Sequence, residues 1–257
     1  MRPRFVLAVL LAGLLAACGD PAPTTEPTVA ASAPPDSTAV RAELAARAAL
    51  AQDHRFSALY DYDAKDGQPA RSVVATVATD GSWRVDVPGG ALGGIADVSI
   101  VQTAKGVFQC SLPSAANPIS LGCVRVADPN HRIPKEYDPK VQRVFRQWLS
   151  VFTDRQAPLS VVPAQPLPGS KGNCYAIDSI SASLKAPVDV GIYCYTDAGL
   201  LSAVRVAFGT LTLVNAVAPP PKLDLPGPIT GGEPLGLQSP PPPPVIEPSA
   251  EIPASPA

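Results

Sequence analysis

Several function classes are missing from this chain before any motif is sought. No apolar run approaches the 20 or so residues that span a bilayer as a helix, which excludes a polytopic helical membrane protein. Basic charge is not in excess: Lys+Arg 20 against Asp+Glu 22 gives a formal net charge of −2. No basic stripe occurs, so no nucleic-acid partner is expected. Only two histidines, His54 and His131, are present to act as a base near neutral pH. There is no Gly-x-Ser-x-Gly elbow, no phosphate-cradling glycine loop and no paired-histidine metal motif. The expectation is a non-enzyme with no catalytic residue, no cofactor and no metal. Asp61-Tyr-Asp63-Ala-Lys65-Asp66-Gly67 superficially resembles a calcium loop. Lys65 stands at its fifth position, however, and Ser72 replaces the closing Glu, so a strand end running into an acidic turn explains it better.

With 46% hydrophobic and 16% charged residues the chain is nevertheless too apolar to be disordered throughout. Its most specific signal is at the start. A basic Met1-Arg-Pro-Arg4 precedes the apolar run Phe5 to Ala17, and Cys18 follows. Thirteen helical residues reach roughly 20 Å, too short for a stable span but right for the apolar region of a secretory signal. Leu15-Ala16-Ala17-Cys18 resembles the bacterial lipobox at all four positions. The resemblance implies a leader over residues 1–17, removed after Cys18 receives a diacylglyceryl group. A mature protein beginning at Cys18 would carry two or three acyl chains (palmitate or similar), and two suffice for stable anchoring. The expected location is the cell membrane, lipid-anchored on the extracytoplasmic side. An ordinary signal peptide with a coincidental cysteine is the plainer alternative.

Of the 32 prolines, most lie near the two ends. Residues 18–38 are rich in Pro, Ala, Thr and Ser with almost no bulky side chains, and read as an acylated, disordered tether. Residues 219–257 hold 14 prolines, including Pro240 to Pro244 in a row. They read as a disordered, polyproline-like tail, serving as a spacer or as a ligand for an envelope protein or the cell wall.

Between them, residues 39–218 carry the patterns of a folded α+β domain. Ala39 to Gln52 is dominated by strong helix formers and predicts a short N-terminal helix capped by Ser37 or Thr38. Phe56, Ala58, Tyr60 and Tyr62 then alternate with Ser57, Leu59, Asp61 and Asp63. Ser72–Thr79 and Trp83–Val87 flank an Asp80-Gly81 turn, and Val98–Thr103 and Gly106–Cys110 form a second hairpin, with Leu121–Val126 beside it. Further strands are expected at Cys174–Ser181, Val188–Tyr195 and Leu200–Val217. Val87 to Gly94, with four glycines, reads as an exposed loop or a lid. One long amphipathic helix is predicted after Asp138 as cap and Pro139 at the first position, with Val141, Val144, Phe145, Trp148, Leu149 and Phe152 on one face. That stripe is read first as core-facing, and otherwise as the apolar wall of a ligand site.

Cys110, Cys123, Cys174 and Cys194 suit an exported protein and allow three disulfide pairings. Spacing favours 110 with 123 and 174 with 194, each joining neighbouring strands. A zinc site would need tighter clusters or added histidines.

The stretches Cys174-Tyr-Ala-Ile177, Gly191 to Leu201 and Ala218-Pro-Pro-Pro221 resemble actinobacterial lipoproteins of the LolA and LppX/LprG type. The likeness covers some 48 residues; the earlier strands agree in order only. It implies a curved antiparallel half-barrel covered by helices, with a lipid or other apolar ligand bound or transferred non-covalently between them. It carries no catalytic residue. Small strand residues such as Val73, Ala75, Val77, Val98, Ile100, Val204 and Val206 leave room for such a ligand. A structural or interaction lipoprotein with a filled core is the alternative, and cavity volume separates the two.

Overall fold

The computed structural model describes residues 37–115, 117–180 and 186–239. The leader, Cys18 and residues 240–257 of the proline-rich tail lie outside them.

The chain enters through α1, Ser37–Asp53, a length its alanines and leucines support. Val40, Leu44, Ala48 and Ala51 fall at helical spacing and are buried. The sheet then begins: β1 Phe56–Asp63, β2 Arg71–Val77, β3 Trp83–Ala91, β4 Ala96–Thr103, β5 Gly106–Leu112 and β6 Gly122–Ala127. After irregular chain come α2 Leu149–Thr153, β7 Leu159–Pro163, β8 Asn173–Ser179, β9 Gly191–Tyr195, β10 Leu201–Val206 and β11 Gly209–Val217. All neighbouring strands pair antiparallel, in the order β6-β5-β4-β3-β2-β1-β11-β10-β9-β8-β7. The sheet is therefore open, and consists of two up-and-down meanders joined where β1 meets β11.

Strand alternation sends Tyr60, Val73, Val85, Val98, Ile100, Tyr193, Val204 and Leu211 to one face, where α1 and the segment after β6 cover them in a single core. The outer face carries two smaller clusters, each built on a disulfide. Cys110 opposes Cys123 on β5 and β6, and Cys174 opposes Cys194 on β8 and β9, so both bridges join directly opposite residues of adjacent strands. Val101, Phe108 and Leu225 pack on the first, and Leu167, Ala203 and Ile192 on the second. The tripeptide Leu-Pro-Gly occurs at both caps, at 167–169 and at 225–227.

Four expectations change. The long helix is not formed: Val141–Val144 is a 3₁₀ turn, and the only α-helical part is the five-residue α2. Lys140 lies in the left-handed region, φ 67°, where no right-handed helix passes through a residue with a side chain. Hydrogen bonds shift from Arg143 N–H to Lys140 (2.9 Å), to Trp148 N–H to Arg143 (3.0 Å), to Phe152 N–H to Trp148 (3.0 Å). The β-branched and aromatic residues that give the stripe its bulk are also moderate helix formers, so packing overrides periodicity. Secondly, the glycine-rich loop is largely strand: β3 runs through Gly90, and Leu92–Gly94 forms one 3₁₀ turn. Thirdly, the short strand β7, which follows Pro158 and ends on Pro163, escaped the alternation pattern. Finally, residues 219–239, read from sequence as the start of a detached tail, are bonded to the sheet as a strap.

That strap begins where Thr79 and Asp80 N–H groups donate to the Pro220 and Pro221 carbonyls (3.0 and 3.1 Å). It crosses the outer face at Leu225, passes the edge of β6, and returns to the core side, where the Leu237 N–H donates to Glu136 (2.9 Å). There the Leu92 and Gly93 N–H groups donate to the carbonyls of Gly236 and Leu237 (both 2.8 Å).

Candidate functional site

The sequence points to two places: the apolar stripe after β6 and the glycine-rich end of β3. Both lie on the core side of the sheet. All six stripe residues are buried in one cluster: Val141, Val144, Phe145, Trp148, Leu149 and Phe152. Phe145 lies 5.0 Å from Tyr60 between ring centroids, and Phe152 meets Tyr193 edge-on at 5.1 Å. Trp148 meets Tyr193 edge-on at 6.0 Å and lies 6.2 Å from Phe208. The gap bordered by Val144, Phe145 and Leu149 measures about 10 Å³. A ligand pocket needs roughly 300–1,000 Å³, so these side chains fill the sheet's core face.

Asp138 fixes the start of this segment. It is 1% exposed, and its carboxylate accepts the Lys140 N–H (2.8 Å), the Gln142 amide (2.7 Å) and Arg143 Nε (2.9 Å), with Arg143 Nη2 as an ion-pair partner. The sequence reading made Asp138 a helix cap; here it closes a turn and anchors two side chains.

Beside it, an open cleft of about 370 Å³ is lined by Tyr62, Val87, Gly89, Val141, Phe208 and Leu237, with Arg71 and Lys140 at its polar side. Arg71 pairs with Asp66 (2.5 Å) and lies 5.9 Å from the Tyr62 ring centroid. The Gln68 N–H, and then Arg71, hold the Asp66 carboxyl below its usual range. These contacts account for the acidic turn that superficially resembled a calcium loop. Among the described residues no group of three or more His, Cys, Asp or Glu is placed to hold a metal ion. His131 is exposed, its Nδ1 3.1 Å from the Pro129 carbonyl. A second open cleft, about 400 Å³, lies at the β7 edge between Arg41, Arg155, Val162 and Ile180.

Tyrosines supply the site's strongest electrostatic signature. Burial pushes the phenols of Tyr60, Tyr193 and Tyr195 far above their ordinary value, and that of Tyr175 up to about 12. The Tyr60 and Tyr193 hydroxyls donate to the carbonyls of Leu201 (2.9 Å) and Asp189 (2.6 Å). A phenol with a folded pKa above its unfolded value near 10 supports folding fully below that pH and loses the contribution as pH rises. Stability is thus expected to fall above about pH 10. Phenolate absorbance and far-UV circular dichroism should then change together; six tyrosines ionising near pH 10 with the dichroism intact would contradict this core.

The strap was the one part of this region that no sequence signal announced. Its fixing points are mainly backbone groups, and a backbone contact leaves little trace in residue type. No family model, no curated protein and no solved structure matches the chain.

Proposed function

We propose that this chain is a cell-envelope lipoprotein, anchored on the extracytoplasmic side of the membrane by acyl groups on Cys18, whose domain is an interaction module with a filled core. The proposal includes a curved, LolA/LppX-like half-barrel in which residues 139–153 occupy the place of the family's ligand. What supports the module reading is the packing of the six stripe residues. Exposing them costs about 1.5–3 kcal/mol each, on the order of 10 kcal/mol together. Whole domains are stable by only about 5–15 kcal/mol. The segment therefore does not leave the sheet unaided to admit an acyl chain. No catalytic residue or cofactor is assigned, and the proline-rich residues beyond 239 are assigned the contact to the wall or an envelope partner.

One observation favours the second reading, non-covalent binding or transfer of a lipid or other apolar molecule. The cleft at Tyr62, Val87 and Phe208 has the volume of a small-ligand site. Native mass spectrometry of the protein from its own envelope, followed by lipid extraction, separates the two. An apo mass with no uptake of added lipid is expected. A co-purifying lipid at one-to-one occupancy, beyond the covalent acyl groups, would overturn the module reading in favour of carriage.

Anchoring has its own test. Cys18→Ala is expected to abolish both the acylation and the leader removal that depends on it, so that the variant's intact mass retains residues 1–17 and lacks the two or three acyl groups. A variant that loses its leader as the wild type does, with no acyl mass in either protein, would end the lipid-anchor proposal.

A further inference from the structure

An end strand exposes unpaired backbone groups ready to pair with another chain. β6 is such a strand, and the strap takes that place. The Cys123 N–H donates to the Pro228 carbonyl and the Thr230 N–H donates to the Cys123 carbonyl (both 2.8 Å), the two bonds of a parallel bridge to Ile229. Gln109, 2% exposed, is a second docking point. Its Oε1 accepts the Leu235 N–H (2.6 Å) and its Nε2 donates to the Leu235 carbonyl (2.9 Å), so a side-chain amide imitates a strand partner. Leu225 seats on the Cys110–Cys123 bridge between Val101 and Phe108.

Between these points the strap stands away from the sheet. A cavity of about 210 Å³, lined by Gly122 and Val124 on the sheet side and by Gly232 and Pro234 on the strap side, lies between them. Among the described residues no strap hydrogen bond reaches β6 beyond Cys123. The start of the strap is also fixed: β11 runs to Val217, and the carbonyls of Pro220 and Pro221 are held by the turn after β2. Prolines hold φ near −65°, so the run Pro219–Pro221 has little freedom to adjust the approach. A second copy's strap carries the same hinge, but opened between the two copies rather than folded back along its own sheet.

We propose that the β6 edge, with the Gln109 amide and the groove over the Cys110–Cys123 bridge, is a docking site for an extended peptide, and that its partner is the strap of a second copy of this chain, exchanged at the Pro219–Pro221 hinge. The inference rests on the interaction-module reading and names that module's partner. Exchange keeps every contact of the strap beyond the hinge, as domain swapping does. What opposes it is the effective concentration of the chain's own strap, which is of millimolar order for a short linker. Confinement of the copies to one membrane surface by Cys18 acylation raises their local concentration toward that range.

The test deletes Pro219, Pro220 and Pro221 from the full chain, which removes roughly 9 Å of reach at 3.1 Å per residue. The strap then fails to reach its own groove but still reaches a neighbour's. Light scattering after gel filtration is expected to show a twofold rise in mass, reversed by a millimolar excess of a synthetic peptide of residues 219–239. A monomer, or a dimer indifferent to the peptide, overturns the proposal. Should the deletion variant not fold, the wild-type chain is titrated with the same peptide carrying a fluorophore. Its anisotropy is expected to rise with a midpoint of millimolar order, and the rise should vanish when the peptide carries Leu225→Asp and Leu235→Asp. No rise over that range is equally fatal. One-to-one lipid in native mass spectrometry would remove the module reading without touching either measurement, so the two failures are distinguishable.

Discussion

Trp148→Ala is expected to lower the unfolding free energy by about 3–5 kcal/mol, the usual cost of truncating a buried aromatic residue. The side chain is 3% exposed and lies between Tyr193 and Phe208. Its removal forfeits both transfer free energy and an edge-on aromatic contact, and it leaves a cavity that β-strand neighbours on a bonded sheet are poorly able to close. For a domain stable by about 5–15 kcal/mol, the variant would be left near the edge of folding at 37 °C. Urea unfolding followed by circular dichroism gives the number. A loss below 1 kcal/mol would mean that the segment lies loosely on the sheet, as a movable cover does, and would return weight to lipid carriage.

The second large effect is expected at Asp138. Asp138→Ala removes the acceptor for the Lys140 N–H, the Gln142 amide and the Arg143 guanidinium at once. Breaking a buried ion pair from one side typically costs about 3–5 kcal/mol, because the remaining charge is stranded. The Arg143 side chain is 23% exposed and retains water, so a loss of about 3 kcal/mol is expected. Asp138→Asn keeps an oxygen for the Lys140 N–H but not the charge, and should fall between the wild type and the alanine variant. Hydrogen exchange gives a second readout, with faster exchange expected at the amides of residues 140–149. Equal stability of all three proteins would show that the left-handed turn at Lys140 forms without the carboxylate.

These two residues also mark what was legible from sequence. The stripe from Val141 to Phe152 reported correctly which side chains are buried, since burial follows apolar identity. It misreported the backbone, because spacing of three and four residues is satisfied by a chain of 3₁₀, wide and α-type turns as well as by a helix. The hairpins were readable where small turns separate alternating strands, as at Asp80-Gly81 and Lys105-Gly106, and the cysteine spacing gave both bridges for the same reason. β7 was not readable: five residues, the last of them Pro163, carry too few alternations. The strap was hidden by its composition. Leu225, Leu235 and Leu237 are sparse among prolines and glycines, and what holds them is paired through backbone groups and the Gln109 amide.

The meeting of β1 with β11 has a kinetic consequence. Every other strand pair joins consecutive strands of one meander, whereas this register places Ser57 opposite Val217, about 160 residues along the chain. Loop-closure entropy makes that contact about 2.5 kcal/mol harder to form than one closing a ten-residue hairpin. Non-local contacts of this kind slow folding, so each meander is expected to assemble before the two join. The strap follows β11 in sequence but docks on β6, the far end of the other meander. It therefore seats after the join and ties the halves together. The disulfides lie within the halves and remove only 13 and 20 residues from the loop, a change of about 0.2 kcal/mol by the same relation. Oxidised and reduced chains differ in how firmly each half holds, and hardly at all in the distance the final join must search.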